Sequence, residues 1–107
     1  MDQYMLLMFD DEIWQTFSES EQALWVTRIR GFVKEIEERI VKADPVGYEG
    51  RMITKDGVEV VDFTGDPDAV TGYFIFEAES WDEAVQLAQK CPTTEFGGRL
   101  QLRKLGH

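Results

Sequence analysis

Gly72-Tyr-Phe-Ile-Phe-Glu-Ala-Glu-Ser-Trp-Asp-Glu83 is the stretch that decides the fold. Its first seven residues are rich in aromatic and β-branched side chains, which suit a pleated, packed surface. Ser80-Trp-Asp-Glu83 then spells a capping box, in which a serine oxygen takes an orphan helix amide and a glutamate three residues on reaches back. A strand therefore passes into a helix, whose apolar side is Trp81, Ala84, Val85 and Ala88, with Trp81 in the core, before Cys91-Pro92 stops it. Alternation places Phe74, Phe76 and Ala78 on the helix side of the strand and Tyr73, Ile75 and Glu77 on the other.

The same grammar appears upstream. Tyr4-Met-Leu-Leu-Met-Phe9 is a short continuous apolar run, predicting a strand covered on both faces, and Asp10-Asp-Glu12 is a polar stop. Ser18-Glu-Ser-Glu21 is another capping box. Trp25, Ile29, Phe32, Val33, Ile36 and Ile40 follow on one helical stripe, Glu35 and Arg39 pair at i,i+4 outside it, and the helix ends before Asp44-Pro45. Val46 to Asp62 reads as a hairpin around Lys55-Asp-Gly57, with Asp-Gly supplying the positive-φ positions. Thr64-Gly-Asp-Pro-Asp68 is a turn. From Gly98 to Leu105, Leu100 and Leu102 alternate with Arg99, Gln101 and Arg103. Strand, helix, two strands, helix, strand is the α+β, ferredoxin-like βαββαβ order: a four-stranded antiparallel sheet with two helices on one face, expected as a single domain over residues 1–107.

Composition narrows the function. The formal charge is −10, and between Lys55 and Glu83 nine acids face a single base, a surface that repels phosphate backbones, so nucleic-acid binding is not expected. No apolar stretch approaches the roughly 20 residues that span a bilayer, so no membrane association is expected. One lone cysteine, Cys91, gives no internal disulfide or cysteine-built zinc site and fits a reducing compartment, with the cytoplasm as the expected location. The single histidine is His107, so imidazole-based catalysis and His-rich metal sites are not expected. GxGxxG, P-loop and nucleophile-elbow motifs are absent, and no cofactor, metal or catalytic residue is assigned.

Two helices cover one face of a four-stranded sheet and leave the other to solvent, ligand or partner. In the first strand both alternating sets are apolar, so one lands on that open face. This predicts a homodimer packed sheet to sheet, with a cleft lined by Tyr73, Glu77, Arg99 and Arg103. Two readings stand: cross-strand ion pairs that merely line a dimer interface, or a site for a small anionic or polar ring compound.

Tyr4-Met-Leu-Leu, Gly72-Tyr-Phe-Ile, Trp81 through Pro92 and Gly98 through Arg103 together resemble the YCII-related domain family in its DGPF subfamily. The resemblance implies a dimeric α/β barrel. Where the subfamily carries Asp-Gly-Pro-Phe, this chain reads Asp62-Phe-Thr-Gly65, so only the aspartate is kept, and Asp62 joins the candidate site on that ground. Some relatives carry a His–Asp pair, with the histidine on the first helix, and act on small ring compounds in a lyase-like or dehalogenating manner. The corresponding Trp25-Val-Thr-Arg28 has no histidine, so that chemistry is not carried over, and Arg28 in the cleft would be a permanent cation. Association of such domains with sigma factors implies the alternative, a non-catalytic regulatory module docking a protein partner.

Asp10, Asp11 and Glu12 read as a solvated loop rather than a cation site, and so do Asp66 and Asp68 in their turn. Cys91 reads as a buried, inert thiol and Trp25 as core. Trp14 either lids the cleft or packs on the first helix, and His107 is a tail residue.

Overall fold

Strand β1 (Asp2–Phe9) is the axis of the structure, pairing on one edge with β5 (Gly72–Ala78) and on the other with β6 (Arg99–Lys104). The computed structural model describes residues 1–106, so His107 lies outside the described residues. Strand β2 (Ile40–Pro45) adds to the free edge of β5, and the order β2-β5-β1-β6, antiparallel throughout, is the ferredoxin-like sheet. Phe74, Phe76 and Ala78 of β5 are buried, as alternation predicts, and of the two apolar sets of β1 it is Tyr4, Leu6 and Met8 that are buried. They meet Phe32 and Ile36 of α2 (Glu19–Ile36) and Ala84 and Ala88 of α3 (Trp81–Ala88) in one core, so both helices cover the same face.

The capping box at Ser18 forms in full: Glu21 N–H donates to the serine oxygen, and the Glu21 carboxylate accepts from Ser18 N–H. At α3 only the first half forms, because the Glu83 carboxylate takes Glu79 N–H and the Arg39 guanidinium instead. Two residues expected inside α3's packed side are substantially exposed: Trp81 keeps 47% of its surface while lying edge-on to Tyr4, and Val85 keeps 41%.

Four expectations in the middle of the chain are corrected. Helix α2 ends at Ile36, and Ile40–Pro45 is a strand of the main sheet. Ile40 continues the apolar stripe of Ile36 because Arg39 and Ile40 amides close a tight turn onto Ile36 and Glu37 carbonyls, bringing Ile40 opposite Phe76. Pro45 is tolerated because β2 is an edge strand. With its turn gone, Arg39 pairs with Glu83, and Glu35 with Lys90. The predicted hairpin forms, but as a separate two-stranded sheet of β3 (Glu49–Thr54) and β4 (Gly57–Asp62). In its turn only Gly57 has positive φ, 135°, whereas Asp56 does not.

The arm leaves the body flat. The extents are 41 × 41 × 18 Å. The radius of gyration is 15.0 Å, against about 13 Å for a compact domain of this length. Ile53, Val58 and Val60, which share one face of the arm by register, are 74%, 67% and 72% exposed. No described helix is long and apolar enough to cross a membrane.

Candidate functional site

The polar stop after β1 is not a solvated loop. Asp11, Glu12, Ile13 and Trp14 form a one-turn helix, α1, with its acids in the first turn, where the helix dipole favours them. Asp11 is only 3% exposed. Its carboxylate accepts from the Tyr48 hydroxyl, from the backbone N–H of Gly65 at φ 74°, and from the Gln15 amide. Accepting from Tyr48 holds that phenol in its neutral form, with its pKa pushed up to about 12. Asp11 thereby ties both ends of the hairpin, the approach to β3 and the exit from β4, to the end of β1.

Asp10 turns to the main sheet instead. One carboxylate oxygen accepts from the Thr71 hydroxyl at 2.6 Å, the other from the fully buried Thr93 hydroxyl at 3.5 Å. Burial raises its pKa above the usual carboxylate value, and the adjacent Asp11 charge adds to the effect. Gly98 is required behind it: a Cβ there would sit 2.9 Å from Asp10 Cβ, 2.7 Å from Thr93 Cγ2 and 3.0 Å from the Phe9 carbonyl oxygen.

These two acids stand beside a cavity of about 460 Å³ between α2 and the sheet. Trp25, Ile29 and Val33 of α2 form one wall, and Met8, Phe74 and Ala43 of the sheet another. Trp14 of α1 lies edge-on to Trp25, ring centroids 5.6 Å apart, and Tyr48, Asp44 and Tyr73 reach the rim. Its lining is overwhelmingly apolar, with the carboxylates as its charged groups.

Of the six candidate binding residues Tyr73, Glu77, Arg99, Arg103, Arg28 and Asp62, only Tyr73 lines this cavity, its hydroxyl donating to Asp44 at 2.7 Å. Arg28 is exposed and paired with Glu95. Asp62 accepts from the Thr64 amide and hydroxyl, which lowers its pKa. Arg99 binds the Pro67 carbonyl and Asp68 and lies 5.1 Å above the Phe9 ring. Glu77 meets Arg39 through its main chain, and Arg103 stands opposite Met5 on the open face. Trp14 packs on α2, one of its two expected places, and Trp25 combines packing with lining the cavity. Cys91 is buried, and burial raises its pKa, as expected for an inert thiol. Asp10, Asp11 and Tyr48 were missed; the available signal was an acid pair held between an apolar strand and the apolar Ile13-Trp14.

The YCII-related domain matches residues 33–103. The chain belongs to this family. The matched span takes in β2 through most of β6 and leaves Asp10, Asp11, Trp14 and Trp25 before it. No curated protein matches the sequence. Among solved structures, 5-chloro-2-hydroxyhydroquinone dehydrochlorinase from Burkholderia phenoliruptrix AC1100, in complex with 2,5-dihydroxybenzoquinone, shares the fold. The TM-score is 0.62 at 16% identity, covering 98% of this chain and 94% of that one. The YCII likeness noted from the sequence therefore holds, and with it the ferredoxin-like fold.

Proposed function

We propose that this chain is a small-molecule-binding domain that takes a ring compound into the cavity between α2 and the sheet. The cavity itself carries the reading: about 460 Å³ with apolar and aromatic walls and a few convergent polar groups, within the roughly 300–1,000 Å³ usual for ligand sites. Family membership and the shared fold of an enzyme complexed with a dihydroxybenzoquinone support a ring as the occupant's body. Asp10, partly buried and with spare acceptor capacity, is the group that meets its polar substituent. Titrating ¹⁵N-labelled protein with phenols, aryl amines and aryl carboxylates tests this. Indole N–H signals of Trp14 and Trp25 are expected to move while that of Trp81, outside the cavity, stays. Shifts confined to Arg99–Arg103 would move the ligand to the open face, and no shift with any compound would end the reading.

A homodimer through the open face is supported by a separate observation. Met5, Leu7, Phe9 and Ile75 form an incompletely covered apolar strip there, flanked by Lys42 and Asp44 on one side and Arg99 and Arg103 on the other. Sedimentation should give a dimer that Leu7→Lys converts to monomer; a monomeric wild type at high concentration would exclude it.

A further inference from the structure

We propose that the cavity selects an organic cation, a primary ammonium carried on a small ring, seated against Asp10. This rests on the reading of the cavity as the ligand site. The charged residues lining it are Asp10, Asp11 and Asp44, with no lysine or arginine among them. Their oxygens are unequally used. Asp11 is occupied by Tyr48, Gly65 and Gln15, and Asp44 takes the Tyr73 hydroxyl and has Lys42 at 3.8 Å. Asp10 has one short hydrogen bond and one long one, leaving lone pairs for an ammonium N–H.

The surroundings favour the same charge. Trp14, Trp25, Tyr48 and Phe74 contribute aromatic rings, whose negative faces attract cations, most strongly where water is excluded. Two carboxylates on successive residues repel one another when both are ionised, and a bound cation relieves that repulsion. An aryl carboxylate would add a third negative charge to the same low-dielectric wall. Two arginines of the surrounding surface are already paired, Arg28 with Glu95 and Arg99 with Asp68.

Three probes of matched size separate the possibilities by calorimetry: benzylammonium, benzyl alcohol and benzoate. Benzylammonium is expected to bind at least about tenfold more tightly than benzyl alcohol, with benzoate weakest, as charge-assisted hydrogen bonding and cation–π attraction require. Asp10→Asn should bring the ammonium and the alcohol to within about threefold of each other. Ala43→Trp, which narrows the cavity, should weaken both. If the alcohol or benzoate equals the ammonium in wild type and Ala43→Trp abolishes its binding, the cation inference falls while the site reading stands. If no probe binds, or Ala43→Trp changes nothing, both fall. A preference that survives in folded Asp10→Asn removes Asp10 from its assigned role. Should that variant not fold, the wild-type ranking and the Ala43→Trp result decide alone.

Discussion

The main sheet and the hairpin arm are built from similar sequence and end in opposite environments. Phe74, Phe76 and Ala78 alternate along β5 and are only 6%, 0% and 0% exposed, while Val58 and Val60 alternate along β4 and stay about two-thirds exposed or more. β-propensity and alternation make both pairs of strands; only the helices above the sheet make a core. A two-stranded ribbon is marginal alone in water, so the arm depends on what ties it down. The tie is Asp11, whose neighbour Asp10 serves the sheet. Successive carboxylates thus anchor the two regions separately.

That division can be broken. Phe76→Ala, at a fully buried position stacked near Tyr4, should cost about 3–5 kcal/mol and lower the global unfolding transition, whereas Val60→Ala on the arm should stay within about 0.5 kcal/mol. Comparable losses would mean that the arm is as covered as the sheet. Asp11→Ala leaves the Gly65 amide and the Tyr48 hydroxyl without their shared acceptor, at about 2–3 kcal/mol. Hydrogen exchange should report its loss in β3 and β4 first, with β1 and β5 still protected; uniform loss would show a single cooperative unit.

The third effect is smaller and depends on pH. Because folding raises the Asp10 pKa above 3.8, its contribution is fully present below pH 3.8 and is lost as pH rises through the elevated value. Relative to Asp10→Asn, wild type should therefore gain stability on acidification across that window, against the opposite trend from Glu21, Asp62 and Glu83, whose pKa values are lowered. A difference between the two proteins that is flat with pH would mean that Asp10 is not desolvated as described.

Much of the fold was legible because its signals are local. Capping boxes at Ser18 and Ser80 place the starts of both major helices within a residue, and alternation in β5 and β6 assigns the faces of the sheet. Misreadings occurred where a local pattern has two solutions. Ile36 and Ile40 are spaced as helical neighbours, yet a tight turn followed by a strand places both against the core equally well. Valine alternation in the hairpin is that of a main-sheet strand, and nothing nearby says that no helix will cover it. The site was the least legible part. Asp11 is buried by Tyr48 and Gly65, 37 and 54 positions away, and Asp10 is held by threonines 61 and 83 away. Acids in sequence look solvated until such distant partners arrive.

Strand β1 lies at the centre of the sheet while both its neighbours, β5 and β6, come from the last third of the chain. During synthesis the apolar run Tyr4–Phe9 is made before both of its partners and finds neither until more than sixty further residues have followed. At about 5–20 residues per second, that leaves an unpaired, sticky strand for roughly 3 to 20 s. The nascent chain therefore carries an aggregation hazard in β1, and a holdase that recognises extended apolar segments has its natural target there.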